Sequence, residues 1–465
     1  MNRPNILLFL TDDHAPWSLP AYGHSEMATP NFDRLGREGA LFENAFTPCP
    51  VCSPARACLL TGRTPSQTGL HDWLEEGIGS IGERDRLANE FTLPRRLQAA
   101  GYSTLLAGKW HLGSRGRVPA GFDHAFALAG SQGVHSGPYT YCADGEPCVI
   151  EGNKSQVVTD HALKLLAAAP ADRPFFLNVG YIATHSPYDA EAHDPERVRE
   201  VEHLMFHDLP EYRPHPWLKN EGMVTAACGD AAELRRRYVG YHAAVAELDR
   251  EVGRVLAALD ERELRESTIV IYVSDPGCAL GHQGFLGKGN STRPLNMYET
   301  SLRVPLLIRG PGIDSGRWIR ELVDHYDLFE VILEWAGLPP GGDGFPGRSL
   351  APLTAGKAVS WPGEKFGEYG DLRMIRTERY KWVRRYPNGP FDLFDLEIDP
   401  RETFNLAGWE DYRDVQAELD ARLADWYSHH EDPEKSGLRV KELPRHNSHE
   451  AWRDGHREAR GLQVY

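Results

Sequence analysis

The chain has 465 residues, enough for a large buried core and, by ordinary domain sizes, for two or three units. Its 67 acidic residues outnumber 51 Lys and Arg, giving a formal charge of −16, so no basic field exists to hold a nucleic-acid backbone. An anionic ligand must then be captured by a local cluster of Lys, Arg and His, or by a metal.

The opening Met1-Asn2-Arg3-Pro4 leads into the apolar run Ile6 to Leu10, which is too short for a signal segment or a membrane span. It reads as a buried first strand. As written the chain is expected to be cytoplasmic with no membrane partner, or periplasmic or secreted if a leader was trimmed. The seven cysteines (49, 52, 58, 142, 148, 228 and 278) form an odd set in a chain too large to need a disulfide framework. Cys142 and Cys148 are the pair that could join in an exported protein.

Strands are expected at Asn5–Leu10, Ser103–Gly108, Phe175–Tyr181, Thr268–Ser274 and Val304–Arg309, alternating with helical stretches. Between Arg235 and Glu263, Tyr238, Tyr241, Val245, Leu248, Val252, Val255 and Leu256 recur at helical spacing, which leaves Glu247, Asp249, Arg250 and Arg254 for the wet face. The pattern implies an α/β fold: a large mixed, mostly parallel sheet sandwiched by helices. The breaker cluster Pro339-Pro340-Gly341-Gly342-Asp343-Gly344 ends a first unit at residues 1–340 and opens a linker at 341–365. A small C-terminal unit at 366–430 follows. Its antiparallel strands are expected at Phe366–Tyr369, Leu372–Arg376, Tyr380–Arg385 and Asp392–Asp395, with a helix near Asp414–Tyr427. The tail, 431–465, is polar, rich in His and Arg, and expected to wrap the surface or stay partly disordered.

Asp12-Asp13 directly follows the first strand, and Asp275 closes another. Loops at the carboxyl edge of an open sheet form its crevice, so these carboxylates could meet there around a hard divalent cation. An isolated Asp pair would serve equally as a turn or a helix cap. Cys52 precedes Ser53-Pro54-Ala55-Arg56, where Pro54 suits a first helical turn and Gly62 a helix end. The free N–H groups and dipole of a helix N-terminus favour an anionic nucleophile or bound oxyanion. A lone cysteine is more often a small buried core residue.

The run Cys52-Ser53-Pro54-Ala55-Arg56, continuing through Leu59-Leu60-Thr61-Gly62-Arg63, resembles the Cys-x-Pro-x-Arg signal of the formylglycine-dependent sulfatases of the alkaline phosphatase superfamily. Gly108-Lys109-Trp110-His111-Leu112-Gly113 is similar to the family's second signature. Further likeness runs through Pro4–Asp13, Thr184-His185-Ser186-Pro187, Gly281–Asn290, Tyr298-Glu299, Arg303-Val304-Pro305, Arg376–Trp382 and Leu393–Leu406.

The resemblance implies a sulfuric ester hydrolase in which Cys52 becomes formylglycine through a formylglycine-generating enzyme. It also implies a metal site of Asp12, Asp13, the modified Cys52 and Asp275, holding Ca2+, or alternatively Mg2+ or Mn2+. The hydrated aldehyde would attack sulfur, and its second hydroxyl would then expel sulfate. Arg56 would hold the diol, Lys109 and Lys288 the sulfate oxygens, His111 would take a proton in the release step, and His185 would protonate the leaving alcohol. Taken singly, each His is more often structural. Substrate-facing candidates are His14, His71, Asp72, Trp73, His135, Tyr139, Tyr188 and Arg303, with Trp73 and Tyr139 able to stack on a ring.

Gly287-Lys288-Gly289-Asn290 with Asn296-Met297 looks most like carbohydrate-directed sulfatases, so the expected partner is a small-molecule or glycan sulfate ester, with oligomerisation left open. One departure stands out. Sulfatases usually follow the last metal aspartate with Asn, His or Gln, whereas this chain has Pro276, which carries no ligand atom in its side chain. A phosphonate monoester or phosphodiester hydrolase, and a catalytically silent binder, are the alternatives.

Overall fold

A computed structural model describes residues 3–24, 26–75, 86–113, 117–129, 135–218 and 228–453. Four parallel strands make the centre of an 11-stranded sheet. Asn5–Asp12 lies between Thr268–Ser274 and Phe175–Thr184, and Ser103–Gly108 lies beyond the latter. Each is buried along almost its whole length. Side chains alternate across the strand, so Leu7 and Phe9 enter one core and Ile6, Leu8 and Leu10 the other. Helices Lys154–Ala168 and Ala231–Glu261 fill the first core, and Cys52–Thr61 with His325–Trp335 the second.

Further strands extend both sides, antiparallel next to Thr268–Ser274, and on the other side first the parallel His124–Leu128 and then an antiparallel hairpin. Leu306–Arg309 pairs with Thr268–Ser274, and Ala40–Phe46 lies outside it. The expected strand Val304–Arg309 is broken into Arg303–Val304 and Leu306–Arg309 at Pro305, which has no N–H to give the ladder. On the far side lie His124–Leu128 and a hairpin, Ser136–Ala143 with Glu146–Asn153. Its register sets Cys142 opposite Pro147 and Cys148 opposite Tyr141. The two thiols therefore point to opposite faces of the ribbon, and the disulfide they could have formed in an exported chain is not available to them.

Parallel strands bring their carboxyl ends to one edge, and this delivers Asp12, Lys109, His185 and Asp275 to a common point. The turn at Lys109 requires glycine. Gly108 has φ 100°, and a Cβ there would lie 2.1 Å from the Gly180 carbonyl oxygen, to which Lys109 N–H donates at 2.8 Å.

The expected helix Arg235–Glu263 is observed as Ala231–Glu261, but two residues of its supposed wet face are buried. The Asp249 carboxylate accepts from Asn31 N at 3.1 Å and Phe32 N at 2.8 Å, so it caps the neighbouring helix Pro30–Glu38. Glu247 accepts from Gln156 at 2.9 Å.

The second sheet is antiparallel: Glu364–Tyr369, Leu372–Thr377, Tyr380–Arg385 and Asp392–Asp395. Helix Arg413–His430 packs Leu419, Leu423 and Tyr427 onto Phe366, Ile375 and Trp382. The stretch 341–365 is more than a tether: helix Ala351–Thr354 sits within it, and Leu350 and Leu353 enter the main core. Nor does the described part of the tail behave as a solvated strand of chain, because His446, Asn447 and Glu450 are fully buried. Residues 454–465 lie outside the described ones. Among the described residues no helix is long and apolar enough to cross a membrane.

Replacing Asp249 by Ala should lower the free energy of unfolding by about 1–2 kcal/mol through the lost helix cap. Asp249→Asn, which keeps an acceptor, should lose less than half of that. Urea denaturation of both variants checks the ordering.

Candidate active site

Asp12 ends the first strand and Asp13 follows it in the left-handed region, at φ 60°. That turn is held from behind: the Asp13 carbonyl accepts from Thr184 Oγ1 at 2.8 Å and Tyr241 Oη at 2.9 Å. The helix Cys52–Thr61 starts at the same edge with Cys52 in its first turn, and Gly62, left-handed at φ 67°, closes it. Asp275 follows the strand Thr268–Ser274, and its amide donates to the Thr11 carbonyl at 3.0 Å.

One ligand atom from each of Asp12, Asp13, Cys52 and Asp275 lies within 4.8 Å of the others, and all four residues are buried. Cys52 Sγ, which marks the position of the aldehyde-derived oxygens in a converted protein, lies 3.2 Å from Asp12 Oδ1. Cations enclose the cluster. Lys288 Nζ is 2.8 Å from Cys52 Sγ and 3.6 Å from Asp12 Oδ1 and pairs with Asp13, while Lys109 Nζ pairs with the other Asp12 oxygen. Arg56, one turn after Cys52, donates from Nε to Asp275 Oδ2 at 2.6 Å and from Nη1 to the Lys109 carbonyl at 3.0 Å.

The electrostatics follow from this crowding. Burial alone would raise the Asp12 carboxyl, but the Lys109 and Lys288 ammoniums outweigh it and hold the group well below the usual range. Burial, reinforced by the Asp12 charge, pushes Asp13 to about 7 against the pull of Lys288. Asp275 also rises to about 7, through burial and then the Asp12 charge, against Arg56. Its Oδ1 is buried and has no hydrogen-bond partner among the described residues. Three buried carboxylates with an oxygen left over suit a hard divalent cation. Burial and the Asp12 charge push the Cys52 thiol upward, so as a plain cysteine it is a poor thiolate nucleophile.

Two imidazoles border the cluster. His185 Nε2 lies 3.8 Å from Asp13 Oδ2, and its Nδ1 lies 3.0 Å from the Ser186 carbonyl oxygen. Burial lowers it to about 4, helped by Lys288 and Lys109 and opposed by Asp12. His111, at φ 61°, puts Nε2 2.9 Å from the Leu74 carbonyl oxygen, leaving a buried Nδ1 without a partner among the described residues. Burial and Lys109 lower it as well.

The residues singled out as substrate-facing fare differently. His14 is fully buried behind the site, with its ring nitrogens 2.5 Å from Tyr272 Oη and 3.1 Å from Ser18 Oγ. His71 is equally buried, its Nε2 2.7 Å from the Lys435 carbonyl oxygen. Arg303 donates from Nε at 2.8 Å to the Glu43 carbonyl and serves the sheet. Asp72 accepts from Tyr369 Oη at 2.7 Å. Tyr188 is buried against Cys278, 3.5 Å from its sulfur, and His135 stacks on His193 at 4.3 Å. Trp73 and Tyr139 stay half-exposed; Lys154 Nζ sits 4.0 Å from the centre of the Tyr139 ring. Supports invisible to motif reading are Tyr241 behind Asp13 and His325, whose Nε2 lies 3.0 Å from the Ser274 carbonyl oxygen; Thr184, also behind Asp13, lies in a noted motif but had no role assigned from sequence. Tyr241 had a sequence signal only as a core-facing helical residue.

The Sulfatase family profile matches residues 4–338, and a second, the C-terminal part of N-sulphoglucosamine sulphohydrolase, matches 293–429. The chain belongs to the sulfatase family. It is similar to an N-acetylglucosamine-6-O-sulfatase of Bacteroides thetaiotaomicron, 28% identical over 92% of this chain and 87% of that protein. It also resembles the human N-acetylgalactosamine-6-sulfatase, 31% identical over 80% of this chain and 70% of the relative. Among solved structures, one protein in complex with its substrate D-glucosamine-2-N,6-O-disulfate shares the fold, with a TM-score of 0.77 at 24% identity, covering 92% of this chain and 98% of the other.

A buried ion pair, Arg56 with Asp275, braces the cluster. Arg56→Leu strands Asp275 and should cost about 3–5 kcal/mol of stability. Chemical denaturation of purified variant and parent checks this, and a loss under roughly 1 kcal/mol would speak against the pairing.

Proposed function

We propose that this sulfatase hydrolyses a sulfate ester on a carbohydrate, using residue 52 as formylglycine and a Ca2+ ion held by Asp12, Asp13, Asp275 and residue 52. The observation that carries this reading is the meeting of four buried ligand groups with two lysines at the N-terminus of the Cys52 helix. The glycan assignment rests on the hexosamine sulfates named for the relatives.

Conversion of Cys52 would supply a hydrated aldehyde as nucleophile with a second hydroxyl for releasing sulfate, and the cation would supply Lewis-acid charge stabilisation. The remaining roles belong to the side chains around residue 52. Lys109 and Lys288 neutralise the sulfate oxygens as charge builds on them. Arg56 fixes the first turn of the helix, and with it residue 52, against Asp275. His185 is neutral in the resting site; a bound sulfate ester adds negative charge that favours its protonated form, from which Nε2 gives the proton to the departing alcohol. His111 Nδ1 is the base that accepts the proton when sulfate leaves.

Pro276 supplies no side-chain ligand, and its carbonyl is taken by Ser274 Oγ at 2.9 Å. Asp12, Asp13, Asp275 and residue 52 would therefore hold the cation without a further side-chain ligand from position 276. Pro276→Asn should tighten Ca2+ binding.

The test begins with protein co-expressed with a formylglycine-generating enzyme. Mass spectrometry of the tryptic peptide Glu38–Arg56 should show an aldehyde at residue 52 and an intact Cys49. The converted protein should then turn over 6-sulfated hexosamines faster than matched phosphonate monoesters. Cys52→Ala should lower kcat/KM by about 10³ or more. Preference for the phosphonate would favour the hydrolase alternative, and ligand binding without turnover by converted protein would favour the silent binder.

A further inference from the structure

We propose that the C-terminal segment 432–453 is a strap that positions the catalytic centre through the loop Gly69–Glu75, with His446 and Asn447 as positioning residues. The inference rests on the sulfatase reading above, because the groups it positions are residue 52 and His111.

The loop touches the site at two backbone atoms of a single residue. The Leu74 carbonyl lies 2.9 Å from His111 Nε2, and the Leu74 amide donates to Ser53 Oγ at 2.9 Å, next to residue 52. Leu74 therefore sets which His111 nitrogen carries the proton, and it ties the first turn of the Cys52 helix to the same loop. A carbonyl accepting from Nε2–H leaves Nδ1 as the basic nitrogen.

A loop of this kind needs something to fix its backbone, and helix Pro65–Thr68 ends just before it. The strap meets it residue by residue. Asp432 N donates to the Ser66 carbonyl at 3.1 Å, and Lys435 Nζ to the Gln67 carbonyl at 3.0 Å. His446 Nε2 lies 3.1 Å from both the His71 amide nitrogen and the Gly69 carbonyl oxygen. Asn447 Nδ2 donates to the Trp73 carbonyl at 2.9 Å. The Glu75 amide donates to the His446 carbonyl at 3.1 Å, and the Glu75 carboxylate accepts from Ser448 N at 2.8 Å.

The strap is itself anchored. His446 Nδ1 and the His446 amide each lie 2.8 Å from Glu450 Oε1, Arg453 Nε donates to Glu450 Oε2 at 2.5 Å, and Trp452 packs edge-on against Tyr369. His446, Asn447 and Glu450 are inaccessible to solvent. The buried polar side chains His446 and Asn447 meet the backbone of that one loop instead of water. That loop supplies two hydrogen bonds to groups beside the nucleophile, one to Ser53 and one to His111.

The experiment uses full-length converted protein carrying Asn447→Ala or, at the half-exposed end of the contact, Glu75→Ala. Turnover of a 6-sulfated hexosamine and amide hydrogen exchange are measured on the same samples. Losing the Trp73 contact should lower kcat about 5-fold while KM changes less than about 2-fold. Exchange should accelerate in 69–75 and stay at the parental rate in the strand Asn5–Asp12. Should Asn447→Ala fail to fold, Glu75→Ala carries the test, with the same direction in both readouts. Unchanged kcat in a variant with a loosened loop overturns the proposal, as does a kcat loss that only follows the fraction of unfolded protein. If converted parental protein turns over no ester at all, the sulfatase reading falls and takes this inference with it; active parent with unaffected variants sinks the inference alone.

Discussion

Everything at the active end of this protein follows from placing three carboxylates in a space that excludes water. Asp12, Asp13 and Asp275 are each at most 2% exposed, and moving an ion out of water costs several kcal/mol even after relaxation. Lys109, Lys288 and Arg56 offset that cost in part, yet Asp13 and Asp275 are still pushed to about 7. A divalent cation would relieve the same strain while leaving the two lysines for an anionic substrate. The parallel sheet makes this affordable by fixing the carboxyl ends of its strands before any side chain is placed.

The chemistry was legible in the sequence because it sits in short motifs whose neighbours fix the local backbone. Cys52 and Arg56 share a helix turn, and Asp12 with Asp13 must fall at the end of an apolar strand. The structure brings one ligand atom from each of Asp12, Asp13, Cys52 and Asp275 within 4.8 Å of the others. Residues chosen for the substrate side only by proximity in sequence were less successful. His14 follows Asp13, but the left-handed turn at Asp13 leaves His14 bonded to Tyr272 and Ser18.

Packing between elements was the other invisible layer. Helical periodicity put Asp249 on a wet face because it records one helix at a time, and the cap that Asp249 gives to Pro30–Glu38 exists only once two helices meet. The hairpin Ser136–Asn153 escaped notice because much of it is exposed and lacks the apolar run of a core strand. The polar tail was read as surface wrapping from its composition, yet those polar groups find partners on the Gly69–Glu75 loop. Composition cannot distinguish a residue bonded to water from one bonded to a carbonyl 374 positions away in sequence.

The proposed cation site of Asp12, Asp13, Asp275 and residue 52 must work even though Pro276 adds no ligand. Calorimetric titration of the converted protein with Ca2+ tests it. One ion should bind per chain, and binding should be lost in Asp13→Asn. Absence of binding at millimolar Ca2+, Mg2+ or Mn2+, or binding that Asp13→Asn leaves unaltered, would contradict it.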